Sequence, residues 1–260
     1  MWPKADDFAG PTPVFFVGFP RSGTTMIDQI LSTFAKVAVI EEKESIADAW
    51  LELLVASDGL SRWPRLGRDD IERLRSAYWA RARAHVPAGA DLVIDKLPLD
   101  TALLGLIHFL FPGARIIFAL RDPRDVVLSC FQQTFGMNAA MYQFLQLDSA
   151  AAYYDQVMRL GLLWREKLPL KLHVVRYESI VRDFDGEIGA LLKFLDLPWS
   201  DDLRNFHEAA RKRTIRTPSA RQVIQPLYAS SSGKWRNYEK ELAPVRAILD
   251  PWARRFGYEA

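Results

Sequence analysis

The sequence predicts an α/β protein of the three-layer α/β/α class, with a central parallel sheet between two layers of helices. Short apolar runs alternate along the chain with longer segments of helical spacing, an order typical of parallel sheets covered by helices. The runs VFFV (Val14 to Val17) and IIFAL (Ile116 to Leu120) are continuously apolar, as expected of strands buried on both faces. Three-layer folds reach 260 residues with a single core, so we expect one domain over residues 1–260.

The individual elements follow in chain order from the same patterns. Residues 57–70 are interpreted as a surface connection, and beyond about residue 200 the strand signal ends. We expect that last part to pack over a sheet edge or to form a lid. The expected strands are Val14 to Val17, Leu92 to Ile94, Arg115 to Leu120 and Leu172 to Val175, and the expected helices are Thr24 to Phe34, Asp69 to His85, Thr101 to Leu110 and Ala150 to Lys167.

Composition narrows the class of partner and the compartment. With 49% hydrophobic and 25% charged residues, the chain has enough apolar material for a packed core and too little charge for disorder. The formal net charge of +2 is too small for a general polyanion surface, so nucleic acid is not an expected partner. We find no apolar run of about 18 residues and no secretory leader, and the single cysteine, Cys130, offers no internal disulfide. We therefore expect a cytoplasmic protein without a membrane span.

The segment from Gly18 to Thr25, GFPRSGTT, has the features of a phosphate-binding loop between a strand and a helix. Exposed amides and the helix dipole at such a turn favour an anion, and hydroxyls add donors. Its spacing is that of the nucleotide-binding loop GxxxxGK[ST], but Thr24 stands in the place of the lysine, which argues against an ordinary ATPase or GTPase. Arg21 supplies a cation whose planar fork suits phosphate or sulfate oxygens. The alternative is a plain strand-to-helix turn with a surface arginine.

This loop resembles the 5′-phosphosulfate loop of sulfotransferases that use 3′-phosphoadenosine 5′-phosphosulfate (PAPS). The resemblance is closest to bacterial sulfotransferase domains, often fused to tetratricopeptide repeats, and to tyrosylprotein sulfotransferases, and it covers about Pro13 to Tyr238. It implies a P-loop NTPase-like sulfotransferase fold, PAPS as donor, adenosine 3′,5′-bisphosphate (PAP) as product, and no required metal. The residues that it implies at the 5′-phosphate of the donor are Arg21, Ser22, Gly23, Thr24 and Thr25.

A second anion site is predicted after the IIFAL strand. Arg121 emerges at the carboxyl end of that strand, where ligands bind in open parallel sheets, and Ser129 lies eight residues further along the following helix. The resemblance implies that this arginine and this serine bind the 3′-phosphate of the donor. The alternative is a capped helix in which Arg121 forms a surface salt bridge with Asp122 or Asp125.

Candidates for a base and for a catalytic cation follow two other strand-like runs. The short run VAVI brings Glu41, Glu42 and Glu44 toward the same sheet edge, although a solvated charge run that opens a helix is the alternative. The resemblance implies Glu42, because the proposed base of tyrosylprotein sulfotransferases lies about twenty residues past the loop arginine, and Glu41 stays open. Lys96 ends the LVID run, and its motif DKLP resembles the lysine motif of the family, which implies a catalytic cation or proton donor. An ordinary strand-end lysine is the alternative.

The C-terminal part carries a further resemblance. RTPSARQVIQPLYASSSGKWRNY resembles the C-terminal motif of the family, so we expect a cofactor-covering segment at about residues 211–240. The motif implies transition-state binding by Ser219 and a donor contact by Lys234. Ser219 is one position off the family pattern, so Thr217 is the alternative. Tyr177 resembles another position close to the cofactor, with an interfacial core tyrosine as the alternative.

The expected function is transfer of a sulfuryl group from PAPS to an acceptor hydroxyl on a small molecule or a peptide. The acceptor class stays open among phenol, tyrosine, alcohol and sugar hydroxyls, since all of them need the same base and cation. One alternative is a P-loop small-molecule kinase that uses ATP, which predicts magnesium dependence. Another is a module that binds an anion or nucleotide without catalysis.

Overall fold

The structure is a computed structural model that describes residues 2–4, 8–211 and 232–259. Within this part of the chain, five parallel strands form one sheet in the order β2-β3-β1-β4-β5. The strands predicted from the sequence are present, and the VAVI run forms a fifth strand at the edge. The strands are β1 (Val14–Val17), β2 (Val37–Glu41), β3 (Leu92–Lys96), β4 (Arg115–Leu120) and β5 (Lys171–Arg176).

Helices connect these strands and cover both faces of the sheet. The α-helices, numbered in chain order over the described residues, are α1 (Thr24–Leu31), α2 (Ala47–Trp50), α3 (Gly59–Arg62), α4 (Arg68–Arg83), α5 (Leu104–Leu110), α6 (Pro123–Phe131), α7 (Ala139–Tyr142), α8 (Leu147–Lys167), α9 (Tyr177–Arg182), α10 (Phe184–Leu195), α11 (Phe206–Arg211), α12 (Glu239–Leu242) and α13 (Arg246–Arg255). A π-helical turn occupies Leu51–Val55, and 3-10 turns occupy Trp63–Arg65, Pro98–Leu103, Gln143–Leu145, Asp201–Asn205, Lys234–Tyr238 and Ala243–Val245.

The side chains of the central strand divide the core into two halves. Phe15 and Val17 belong to the hydrophobic cluster under α4, α5, α6, α8 and α13, while Val14 and Phe16 belong to the cluster under α1, α10 and α11. Successive side chains of a strand point to opposite faces, so the central strand contributes to both helix layers. The predicted three-layer α/β/α class is confirmed. The prediction that residues 1–260 form one domain stays a prediction.

The register of the sheet brings the carboxyl ends of four strands together. Phe16 pairs with Lys96, Glu41 also pairs with Lys96, and Val17 pairs with Phe118. The loops that follow β1, β2, β3 and β4 therefore meet at one edge. This is the edge where open parallel sheets bind ligands.

Two helix predictions differ from the structure for local reasons. The helix expected at Thr24 to Phe34 ends at Leu31, and the hydroxyl of Thr33 donates to the Ile30 carbonyl at 2.7 Å instead of continuing the helix. The helix expected from Thr101 begins as a 3-10 turn, because the Thr101 hydroxyl lies 3.0 Å from the Pro98 carbonyl and 2.6 Å from the Gly18 carbonyl. That second contact fixes the start of the phosphate loop.

Part of the predicted surface connection at residues 57–70 is helical, with α3 followed by a 3-10 turn. The Arg62 guanidinium donates to Glu52 at 3.0 Å, so the segment packs back onto the preceding turn. Over the described residues, no helix combines the length and apolar character needed to cross a bilayer.

Candidate active site

Two glycines of the phosphate loop, Gly18 and Gly23, stand where a side chain would collide with neighbouring residues. Gly23 has φ 90°, and a Cβ at this position would lie 2.9 Å from the Tyr177 ring. A Cβ on Gly18 would lie 2.7 Å from the Ala119 carbonyl oxygen on β4. Helix α1 begins directly after Gly23, and the N–H groups of a first helical turn lack acceptors within the helix. The strand, turn and helix of the predicted phosphate loop are therefore present, and anion binding at this turn stays a prediction.

Arg21 joins this loop to the second predicted anion site. Its φ of 72° lies in the left-handed region, which costs a non-glycine residue energy and is found where the surroundings enforce it. The residue is only 8% exposed, and its Nε donates to the Ser129 hydroxyl at 3.0 Å. The sequence assigned Arg21 and Ser129 to separate phosphates. The structure brings them into direct contact.

Arg121 reaches the same loop from the end of β4. Its guanidinium donates to the Arg21 carbonyl oxygen at 2.9 Å and lies 4.9 Å from the centre of the Tyr177 ring. Its distance to the Asp125 carboxylate is 4.0 Å, and Asp122 instead caps α6 by accepting from the Arg124 N–H at 2.9 Å. Arg121 and Asp125 thus form the ion pair that the alternative expected, but the pair is buried and does not lie at the surface, since the two side chains are 8% and 0% exposed.

Lys96 is enclosed by carboxylates at the other side of the loop. Its side chain has no exposed surface, and among the described residues its Nζ lies 3.3 Å from Asp28, 3.4 Å from Glu41 and 3.5 Å from Glu42. Burial alone would lower the pKa of Lys96, but Asp28, Glu42 and Glu41 together outweigh it, and the net shift of the pKa is upward. Lys96 is therefore held as an ammonium.

Glu41 and Glu42 reach Lys96 in different ways. Glu41 is the last residue of β2 and pairs directly with Lys96, and its side chain is 21% exposed. Glu42 has φ 51°, its N–H donates to the Lys96 carbonyl oxygen at 2.8 Å, and its side chain is 40% exposed. Glu42 is thus more accessible to solvent than Glu41. The backbone of Glu42 lies in the left-handed region, which is unusual for a residue other than glycine.

Asp28 is a site residue that the sequence reasoning missed. It lies on α1 and is 2% exposed, and its Oδ1 accepts a hydrogen bond from the Ser32 hydroxyl at 3.2 Å. Burial raises the pKa of Asp28, while the Lys96 ammonium acts to lower it. One signal in the sequence could have indicated Asp28. It is an acidic residue within the largely apolar helix TTMIDQIL, and a buried acidic side chain usually has a partner.

A second buried acid group lies next to Lys96 in sequence. Asp95 accepts a hydrogen bond from the Tyr78 hydroxyl at 3.0 Å, and burial raises the pKa of Asp95 to about 6. Burial also raises the pKa of Asp100 well above its usual value, and the nearby Asp95 and Glu44 add to the shift. This side of the site therefore contains several buried acids.

The described part of the C-terminal segment is attached to α6. The N–H groups of Gly233 and Trp235 donate to the Asp125 carboxylate at 2.7 and 2.8 Å. Lys234 donates to the side chain of Gln132, which directly follows the helix that contains Ser129, at 2.9 Å. Ser219 and its alternative Thr217 lie outside the described residues.

The remaining prediction on site chemistry concerns metals. Across residues 2–4, 8–211 and 232–259, no group of three or more His, Cys, Asp or Glu side chains is arranged to hold a metal ion. That no metal is required stays a prediction.

Comparison with known sequences identifies the family. The sequence model of the Sulfotransferase family matches residues 13–201. A protein of Aquifex aeolicus is 31% identical over 245 residues, covering 91% of this chain and 32% of that protein. Protein-tyrosine sulfotransferase A of Caenorhabditis elegans is 25% identical, covering 98% of this chain and 69% of that protein. The chain thus spans about a third of the length of the Aquifex relative.

Solved structures of similar fold carry related names. The sulfotransferase domain of the Synechococcus PCC 7002 olefin synthase has a TM-score of 0.68 at 21% identity, covering 100% of this chain and 99% of that domain. A mouse sulfotransferase complexed with PAP has a TM-score of 0.52 at 14% identity, covering 94% of this chain and 87% of that protein. At these identities the likeness shows the fold alone.

Proposed function

The chain belongs to the sulfotransferase family of enzymes, and on that premise we propose that it transfers a sulfuryl group from PAPS to an acceptor hydroxyl. The observation that carries the proposal is the contact between the two predicted anion sites. Arg21 in the phosphate loop donates to Ser129, and Arg121 donates to the backbone of Arg21. Such an arrangement suits a donor with phosphates at both its 5′ and 3′ positions, and the PAP complex of a neighbour in fold supports this choice.

The residues present fit such a donor. The absence of a Cβ on Gly23 lets the Tyr177 ring pack directly against the loop backbone. Ser22, Gly23, Thr24 and Thr25 are proposed to hold the 5′-phosphate through amides and hydroxyls, together with Arg21. Arg121 and Ser129 are proposed to hold the 3′-phosphate, with Lys234 and Tyr177 beside them. When bound, the donor supplies the sulfuryl group and leaves as PAP.

The proposed chemistry divides between Glu42 and the cations. Glu42 accepts the proton of the acceptor hydroxyl on its carboxylate, which is the most exposed of the three next to Lys96. Lys96 and Arg21 stabilise the negative charge that develops on the transferring group and on the departing phosphate. Ser219, or Thr217 in its place, is proposed to add a hydroxyl donor at the same point. No metal is required in this proposal.

The acceptor is proposed to be a hydroxyl on a peptide or a small molecule. The relative from Caenorhabditis elegans is named for protein tyrosine, which makes a phenolic hydroxyl the first class to test. We propose that the reaction takes place in the cytoplasm, because the only cysteine, Cys130, is buried and free.

A transfer assay tests the proposal. The protein is incubated with PAPS and, separately, with ATP and magnesium, against tyrosine-containing peptide, phenol, primary alcohol and sugar acceptors. We expect a sulfated product and released PAP, detected by mass spectrometry, with at least one acceptor. Phosphorylated product from ATP without any sulfated product from PAPS would identify the kinase alternative instead.

A further inference from the structure

Helix α1 links the phosphate loop to Lys96. The helix begins at Thr24, directly after Gly23, and its second turn carries Asp28. The Asp28 Oδ2 atom lies 3.3 Å from the Lys96 Nζ, and their side chains are 3% and 0% exposed. One short helix therefore carries both the end of the phosphate loop and the carboxylate that contacts Lys96.

The three carboxylates around Lys96 differ in their access to solvent. Glu41 and Glu42 are 21% and 40% exposed, so they lie at the rim of the site, whereas Asp28 lies inside. In the proposed reaction Glu42 takes up a proton and loses its negative charge. Lys96 then loses one of its counter-charges at the moment when its own positive charge is needed. Asp28, on α1, and Glu41, on β2, are the carboxylates that still face it.

A buried carboxylate is suited to keep that charge in place. An ammonium in a dry site stays protonated only if a neighbouring charge compensates for lost water. Asp28 is fixed on its other oxygen by the Ser32 hydroxyl, so its free oxygen is aimed at Lys96. A rim carboxylate such as Glu41 is screened by solvent and is less effective.

We propose that Asp28 is a positioning residue that holds Lys96 as an ammonium at a fixed place beside the phosphate loop throughout turnover. The role rests on the proposed function, since it matters only if Lys96 stabilises charge in the reaction. Asp28 is proposed to act through Lys96 and not on the donor or acceptor directly.

The test uses the full chain and two readouts. The first is the titration of the Lys96 Cε resonance in protein labelled with ¹³C-lysine, assigned by its loss in Lys96→Met, which needs no activity. The second is the pH profile of kcat. In Asp28→Asn we expect the pH at which Lys96 loses its charge to fall by at least about one unit, and the alkaline limb of kcat to fall with it. Asp28→Glu should restore part of both.

Asp48→Asn is the matched control, because Asp48 is a helical aspartate paired with Arg81 at the surface. It should leave both readouts at wild-type values. In a Lys96→Met background, Asp28→Asn should change kcat by less than about twofold, since a residue acting through Lys96 is not additive with it.

An unchanged Lys96 titration in Asp28→Asn would overturn the proposal, as would a uniform loss of kcat at every pH. Should Asp28→Asn fail to fold, Asp28→Ser carries the test because it also removes the carboxylate, and a Lys96 titration identical to wild type would then be the contradicting result. If the wild-type protein transfers no sulfuryl group, the proposed function fails, but the titration still reports on Asp28 and Lys96.

Discussion

The two sides of the candidate site are built in opposite ways. On the phosphate side, Arg21 and Arg121 donate to neutral oxygens, the Ser129 hydroxyl and a loop carbonyl. On the carboxylate side, Lys96 is surrounded by acids in the described part of the chain. The same edge of the sheet therefore holds its arginines and its lysine with different kinds of partner. Arg121 has one acidic neighbour, the Asp125 carboxylate at 4.0 Å, whereas three carboxylates face Lys96 and favour its charged form.

The largest effect is expected when the Glu42 carboxylate is removed from the carboxylate side. Glu42→Gln should lower kcat by about 100-fold to 10,000-fold, because general base catalysis typically contributes that much. The affinity for PAP should change little, since Glu42 belongs to the other side of the site. Steady-state kinetics with PAPS and calorimetry with PAP measure the two quantities.

Glu44→Gln is the control for that variant, because Glu44 is an exposed carboxylate of the same segment and should leave kcat unchanged. A large loss in Glu41→Gln with normal turnover in Glu42→Gln would assign the base to Glu41.

The next effect tests whether burial raises the pKa of Asp95 on the carboxylate side. The folded-state pKa of Asp95 is raised to about 6 from 3.8, so the folded protein holds this proton more tightly than the unfolded chain. The stability gained from that proton is present at low pH and is lost as the pH rises through about 6. Between pH 4.5 and 7.5 the loss is about 2 kcal/mol.

Asp95→Asn should remove that loss. Urea unfolding at the two pH values gives the free energies, and the variant should gain about 2 kcal/mol on the wild type over this interval. Asp202→Asn, at an exposed position, should follow the wild type. If the free energy of unfolding changed equally with pH in Asp95→Asn and the wild type, Asp95 would not be buried as described.

A smaller effect divides the phosphate side into its two anion sites. Arg121→Ala should weaken PAP about 10-fold to 100-fold, the contribution of a hydrogen bond to a charged group, while AMP, which lacks the 3′-phosphate, should bind as before. Calorimetry measures both affinities. Arg115→Ala, at the other end of the same strand, is the control. Equal losses for PAP and AMP would refute the 3′-phosphate assignment.

The smallest effect concerns the loop backbone. Gly23 and Gly89 have φ of 90° and 84°, but a Cβ would meet Tyr177 only at Gly23. Both alanine variants should lose about 1 kcal/mol of stability from backbone strain, and only Gly23→Ala should also weaken PAP. Thermal unfolding and calorimetry measure these changes. Unaltered PAP binding in Gly23→Ala would show that the close approach at Gly23 does not shape the loop.

Local motifs predicted the secondary structure of the phosphate side. GFPRSGTT and the Arg121 strand end are contiguous patterns, so their strand, loop and helix could be assigned from the chain alone. The contact between Arg21 and Ser129 could not, since the two residues are 108 positions apart and depend on the pairing of β1 with β4. Asp28 was missed for a related reason. Its partner Lys96 is brought to it by β3, and no pattern within α1 indicates which strand lies opposite.

The central claim is that the two anion sites together serve a donor with a 3′-phosphate. Calorimetry of the wild-type protein with PAP, and separately with ADP and magnesium, tests this most directly. The account predicts that PAP binds more tightly than ADP with magnesium. Tighter binding of ADP with magnesium would contradict it and would favour an ATP-dependent kinase.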